Sequence, residues 1–431
     1  MNILWLTNSP CSSIEKKGGK TILGGWLTSL EKEITKHNDI NLSIAYLSSI
    51  QELPFTYKDV NYFPIHIGTS VKSRKLRTFL DSHQSFRQKE IKALPQLLQI
   101  IGDIHPDIIH IHGTEELWGI VSKQITHIPI VFSIQGLIAP IKEKLFSGIQ
   151  IKNAIRFDSI SDYILNNNIK SIYSSFQYRS VREIKYLNNA SYIIGRTTWD
   201  ERCTLAFNYD RKYFTVNEIL RTPFYNSVWS FKKYNGRKLR IISTISGAIY
   251  KGFETALQTA HILQSYSKID FEWHIIGYTK DSKWCKAAER EKELKISDYP
   301  FVFHGRVDAD NLAKILSESD IYVQVSHIEN SPNSVCEAML VGLPTIASFA
   351  GGTSSIIKDG EEGILVQDGD PYVLAGSIVH LVQNPELSVF YSNNAKKRAR
   401  QRHNPENIYR ELLSGYSSIL SDFKSNDNRK L

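Results

Sequence analysis

At 431 residues, with 42% hydrophobic and 22% charged side chains, the chain is too long for one hydrophobic core and too apolar for a disordered polymer. No apolar run reaches the roughly 18 residues that a membrane-spanning helix needs, and the polar stretch 9–20 excludes the apolar core of a signal peptide, so a cytoplasmic protein is expected. The net charge of +8 is uneven, with a balance of +7 over residues 1–225 and +1 over residues 226–431, which places any attraction for an anionic substrate or membrane on the first half. No nucleic-acid-binding motif accompanies it. Cys11, Cys203, Cys285 and Cys336 lie too far apart for a zinc spacing or a disulfide framework.

In chain order, residues 2–7 read as a buried strand, followed by a polar loop with Gly18-Gly19 and Gly24-Gly25. Leu27, Leu30 and Ile34 then have helical spacing, and residues 42–47 return as a strand. Glycines at 24 and 25 either let the backbone approach a ligand or simply make a flexible loop. Residues 72–92 interleave Lys72, Arg74, Lys75, Arg77, Arg87, Lys89 and Lys92 with Leu76, Phe79, Leu80 and Phe86. That pattern suits a solvated face and a membrane-surface patch equally. Residues 106–112 form a strand ending in His110-Ile111-His112-Gly113, and 130–134 another that leads into Gln135-Gly136. Residues 140–190 are helical without a motif. Residues 192–195 close the first half, and the Arg196 that follows can serve an acidic substrate group or a structural ion pair.

Residues 221–238 lack periodicity and read as a linker, so domains of 1–225 and 226–404 are expected, with a last helix near 405–423. Strands at 240–245, 271–276, 301–304, 321–325, 345–348 and 364–366 alternate with helical patterns. The fold class this predicts is α/β, with two doubly wound Rossmann-like domains facing a central cleft. After residues 321–325 comes a polar loop holding Glu329, then a helix with Ser334 as its expected N-cap and Glu337 three residues on. The pair could be a capping box and nothing more. Alternatively the first-turn N–H groups of Asn333, Ser334 and Val335 attract phosphate, while the two carboxylates accept from sugar or ribose hydroxyls. Two Asp-x-Asp strings, 308–310 and 368–370, precede helices and read as N-caps rather than metal ligands, so no metal and no cofactor are expected.

Glu329, seven residues, Glu337 and then Ala338-Met339-x-x-Gly342-x-Pro344 resemble the donor-site signature of the retaining GT-B glycosyltransferases of family four. The resemblance implies that Glu329 meets the transferred sugar and Glu337 holds the ribose. It extends to Gly24-Gly25, to a strand closing in His-x-His at His112, and to Gln135, which stands where the family has a His. An amide cannot titrate near neutral pH, which excludes a His-dependent proton step there. Lys251-Gly252 matches the pair whose Lys grips the diphosphate, where a departing diphosphate needs cations. Ser246, before Gly247, replaces the expected Arg; Arg306, beside Val307, is placed to restore that charge or to line the base pocket. The loop Ala350-Gly351-Gly352 matches one that reaches the donor, although Ser354-Ser355 stands where Pro-Glu is common. The last helix is implied to pack back on the first domain.

Lys251 and Glu329 are thus the expected catalytic residues, with His112 and Arg196 on the acceptor side. The implied activity is retaining, metal-independent transfer from a UDP- or GDP-sugar to a saccharide acceptor, itself lipid-linked, in surface polysaccharide synthesis. The departing phosphate takes the acceptor's proton. A peripheral position on the inner face of the cell membrane follows from the basic patch. Two alternatives stay open: a nucleotide-sugar epimerase on the same architecture, and a catalytically silent sugar-nucleotide-binding module, the latter suggested by Ser246.

Overall fold

The computed structural model describes residues 1–16, 18, 25–69, 71, 73–233, 236–245 and 247–427, so Gly24, Lys72 and Ser246 lie outside the described residues. Contacts divide the chain into two units. One comprises Met1–Lys142, Ile160–Ile219 and His403–Leu431; the other comprises Glu143–Ser159 and Leu220–Arg402.

The first unit is built on strands β1 (Asn2–Thr7), β2 (Asn41–Ser48), β3 (Phe55–Tyr57), β4 (Val60–His66), β5 (Ile108–His112), β6 (Ile130–Ser133), β7 (Tyr192–Gly195) and β8 (Lys212–Thr215). Their order is β3-β4-β2-β1-β5-β6-β7-β8, parallel apart from the antiparallel β3–β4 pair. β1 is a continuous apolar run because both its faces are covered: Ile3, Leu4, Trp5 and Leu6 have no exposed surface. Pairing is in register on either side, Leu4 opposite Ser43 of β2 and Ile109 of β5. Helix Pro405–Asp427 joins this core through Ile408, Tyr409, Leu412, Tyr416 and Ile419, which lie on one stripe at helical spacing.

Three strands were not expected from the sequence. β3 is only three residues long, β8 is an edge strand with both ends exposed, and β4 carries Pro64. A proline is tolerated there because β3 pairs only with residues 60–62 of β4, leaving Pro64 on an open edge.

The second unit has β9 (Leu239–Ile245), β10 (Phe271–Gly277), β11 (Phe301–Gly305), β12 (Ile321–Gln324), β13 (Thr345–Phe349) and β14 (Ile364–Gln367). The order is β11-β10-β9-β12-β13-β14 and every pairing is parallel. Helix Asn333–Val341 is buried on all sides from Val335 to Val341, which explains why its sequence lacks a polar stripe. Residues 221–238, read above as a linker, supply Phe224 and Trp229 to this core, and Trp229 Nε1 donates to the Ser319 carbonyl at 2.8 Å. Residues 143–159 also count with this unit. Gln150 N and Asn153 Nδ2 both donate to Glu291, at 2.9 and 2.7 Å.

Candidate donor site

In the second unit the strand order reverses at β9 and β12, so the loops leaving their carboxyl ends diverge around a crevice, the usual ligand position in open parallel sheets. β9 runs into Gly247 (φ +84°) and a short 3-10 turn, Ile249–Lys251. Gly252 must follow: its φ is +76°, and a Cβ there would lie 1.9 Å from the Val325 carbonyl oxygen just past β12. The close approach carries Lys251 onto the next loop, where Nζ meets Glu329 Oε1 at 2.6 Å. Burial pulls the lysine pKa down, yet the Glu329 carboxylate and the nearby Tyr250 outweigh it, and the net shift is upward. Lys251 is a fixed cation at neutral pH.

Glu329 is clamped from behind. Its carbonyl accepts from Gly352 N at 2.9 Å, and a Cβ on Gly351 (φ +55°) would lie 1.9 Å from the same oxygen. Gly351 therefore has a structural reason independent of any ligand.

Glu337 lies inside helix Asn333–Val341, 4% exposed. Its carboxylate receives Arg221 Nε on Oε1 and Nη2 on Oε2, each at 2.9 Å, a two-pronged pair. Burial still dominates and pushes its pKa up to about 7 against the pull of Arg221. This corrects the capping box. The N-cap is Pro332, not Ser334, no side chain caps the helix, and Glu337 faces Arg221. The N–H groups around Asn333, Ser334 and Val335 thus open the helix without a side-chain partner of that kind. Asn333 Oδ1 is buried with no hydrogen bond among the described residues.

Arg306 is exposed just after β11, two strands from β9, and forms no ion pair among the described residues; Val307 packs on the core. Among the described residues no ion pair joins Arg306 to Lys251 or Glu329. Asp308 caps helix Ala309–Glu318 through Asn311 N at 2.9 Å, and Asp370 caps helix Pro371–Gln383 through Tyr372 N and Val373 N. Asp368 has a different partner, one that sequence spacing gives no sign of. His327, two residues before Glu329, places Nε2 2.6 Å from Glu254 and Nδ1 3.3 Å from Asp368. Burial lowers the imidazole pKa, but the two carboxylates more than offset it and hold the ring toward its charged form. Gly148 lies against this group, where a Cβ would come 1.8 Å from Glu254 Oε1.

In the first unit, His112 ends β5 fully buried, its ring 3.8 Å from that of His110 and 4.4 Å from Trp5. Neither of its nitrogens has a hydrogen-bond partner among the described residues. Burial first, then His110 and Arg196, hold its pKa well below the usual range, so the ring is neutral. Gln135 follows β6, half-buried, and Gly25 opens helix Gly25–Ile34. Of the two readings of Arg196, the ion pair is present: Nε lies 3.4 Å from buried Glu218, with the guanidinium 4.0 Å over Trp26. No described helix is long and apolar enough to cross a membrane.

Residues 239–384 match the family described as glycosyl transferases group 1, and residues 56–178 match glycosyl transferase 4-like. N-acetyl-alpha-D-glucosaminyl L-malate synthase of Bacillus anthracis is 26% identical over 177 residues, 40% of this chain and 45% of that protein. The amylovoran biosynthesis glycosyltransferase AmsK of Erwinia amylovora is 28% identical over 180 residues, 40% of this chain and 43% of that protein. The chain thus aligns with less than half the length of these curated relatives. The structure of Anabaena Alr3699/HepE in complex with UDP and glucose superposes with a TM-score of 0.64 at 15% identity, covering 97% of this chain and all of that one. Two parallel-sheet α/β units of this kind define the GT-B class. The chain belongs to the glycosyltransferases, with a group 1 domain in its second half and a 4-like domain in its first.

Proposed function

We propose that the chain is a retaining, metal-independent glycosyltransferase that moves a sugar from a UDP- or GDP-sugar to a lipid-linked saccharide in surface polysaccharide synthesis. The observation that carries this reading is the 2.6 Å contact between Lys251 and Glu329 at the carboxyl ends of β9 and β12. A fixed cation there meets the charge that develops on a departing diphosphate, and a carboxylate beside it can orient sugar hydroxyls. The bond from the sugar's anomeric carbon to phosphate breaks as that to the acceptor oxygen forms on the same face, and the acceptor's proton passes to a phosphate oxygen. The ribose falls to Glu337 and the phosphates to the first-turn N–H groups at Asn333, Ser334 and Val335. The sequence resemblance assigns Gly24, Gly25 and Gln135 to the donor as well, Ser246 and Gly247 to its phosphates and Arg306 and Val307 to its base. His112, with its neutral ring, lines the acceptor side; Arg196 contributes through the order it imposes with Glu218.

The similarity to an amylovoran biosynthesis glycosyltransferase supports the polysaccharide setting, and the UDP bound by one structural neighbour supports the nucleotide. On helix Arg74–Ser82, Arg74, Lys75, Leu76 and Phe79 are exposed and no residue is buried, the composition of a surface that rests on an anionic membrane from the cytoplasmic side. The test is incubation with UDP- and GDP-sugars and an extracted lipid-linked acceptor, reading product configuration by NMR. Retained configuration at the new bond supports the proposal. Free epimerised sugar without an acceptor would favour the epimerase, and nucleotide binding without turnover the silent module.

A further inference from the structure

A second feature of the first unit lies where the helix Arg74–Ser82 ends. A cavity of about 620 Å³ opens between the turn leading into helix Phe86–Ile104 and the start of helix Ile169–Leu187. Its lining includes Arg87, Lys89 and Lys170 and no acidic residue. None of these three cations forms an ion pair among the described residues. The nearest acids in sequence are already engaged: Asp81 accepts from Thr69 N at 2.8 Å and from Gln84, and Glu90 lies 3.4 Å from Arg182. Asn166 and several serine hydroxyls complete the rim, tied together by Ser171 Oγ donating to Asn166 Oδ1 at 2.6 Å. Unneutralised cations ringed by hydroxyls form a receptor for an anion that is itself hydroxylated.

The surroundings say what carries that anion. Helix Ile160–Ile164, which ends two residues before Asn166, buries none of its residues. Ile160 is 80% exposed, Tyr163 53% and Ile164 51%. Leu76 and Phe79 on helix Arg74–Ser82, which also buries nothing, are exposed too. Asn166 Nδ2 donates to the Ser82 carbonyl at 3.4 Å, so the two bare helices end at the same rim. Large apolar side chains of this number in water are costly, whereas beside a cationic pocket they suit the boundary between acyl chains and headgroups.

We infer that the cavity lined by Arg87, Lys89 and Lys170 is a headgroup site for an anionic phospholipid, with Ile160, Tyr163 and Ile164 as its apolar anchor. This deepens the membrane part of the proposed function and adds a discrete pocket and a second helix to it. The phosphate diester sits among the three cations, headgroup hydroxyls meet Asn166 and the serines, and the acyl chains lie along the two bare helices.

The test is co-sedimentation with vesicles of phosphatidylcholine alone or containing phosphatidylglycerol, at low and high salt. The wild type is expected to bind only the anionic vesicles and to release them in salt. Arg87→Gln, Lys89→Gln and Lys170→Gln together should lower partitioning by about 10²-fold, three charges near the surface each contributing about fivefold. Ile160→Ser with Ile164→Ser should also lower it, while a variant with Arg74, Lys75 and Arg77 changed to Gln reports the neighbouring helix separately. The thermal midpoint of every variant, read against wild type with and without UDP or GDP, verifies the fold. If neither nucleotide produces a shift in wild type, the donor reading fails and the vesicle result still stands. Equal sedimentation of wild type and the Arg87/Lys89/Lys170 variant overturns the headgroup site. Wild type bound to soluble polygalacturonate but not to vesicles would assign the cavity to an acidic glycan and also overturn it.

Discussion

Arg221 grips Glu337 with two parallel hydrogen bonds of 2.9 Å, and the carboxyl still has a pKa of about 7 because burial outweighs the guanidinium. A ribose hydroxyl is best held by the ionised acid, so nucleotide affinity is expected to fall as pH drops below about 7. The effect on stability has the opposite sign. A carboxyl whose folded pKa is raised above its usual 4.5 leaves its full stability at pH below that value, and this contribution is lost as pH rises through about 7. Titrating UDP or GDP binding by calorimetry between about pH 5.5 and 8.5, a window that brackets such a pKa, measures the first effect. Glu337→Gln should bind more weakly and flatten the profile. A slope unchanged in that variant would assign the titration to another group.

The Lys251–Glu329 pair makes a different demand. Lys251→Ala should lower turnover by roughly 10²-fold or more, since the lost charge acts where the diphosphate departs. Steady-state kinetics with saturating donor separates this from a loss of binding. Turnover equal to wild type would reduce Lys251 to a surface partner of Glu329. Glu329→Gln is the companion variant: it leaves the partly buried ammonium without its anion, so its thermal midpoint should drop as well.

How much of this is legible in the sequence depends on the range of the interaction. β1 and β12 announce themselves because strands covered on both faces are apolar along most of their length. β3 and β8 are short and edge-exposed, and β4 is broken by Pro64, so their patterns carry little signal. The acid pair Glu329 and Glu337 is a local spacing and can be read, and so is Lys251-Gly252. Arg221 lies 116 positions from Glu337, inside a stretch whose mixed composition suggests a linker, and nothing local points to the pairing. The His327 group is similar, drawing Glu254 and Asp368 from 73 and 41 positions away. Ser334 illustrates the reverse failure: the capping-box spacing is present, but the helix begins two residues earlier and the acid has a stronger partner.

The terminal helix contributes more than apolar surface. Tyr416 accepts from Trp5 Nε1 at 3.1 Å and lies 2.6 Å from His110 Nδ1, all three buried. Tyr416→Phe keeps the ring and removes the hydroxyl, stranding two buried polar groups, and should cost about 1–3 kcal/mol. Urea unfolding followed by tryptophan fluorescence checks this. A loss below about 0.5 kcal/mol, the scale of a change at an ordinary surface position, would show that the contact is not stabilising.

Chelation addresses the two Asp-x-Asp strings. Asp308 and Asp370 spend their carboxylates on helix N-termini, Asp308 through Asn311 N at 2.9 Å, and Asp370 through Tyr372 N and Val373 N at 2.9 and 3.0 Å. A carboxylate that accepts from the helix start has its lone pairs directed there, and the cationic end of the helix dipole disfavours a second positive charge beside it. Asp368 faces His327 instead, within a group already balanced by that ring and by Lys144 at 3.7 Å. Transfer is therefore expected to persist after exhaustive treatment with a divalent chelator, with Lys251 supplying the charge that a metal supplies elsewhere. Asp308→Ala should leave turnover intact while lowering stability by about 1 kcal/mol, the usual worth of an N-cap. Activity abolished by the chelator and restored by magnesium or manganese, together with loss of turnover in Asp308→Ala or Asp370→Ala, would return these aspartates to metal binding.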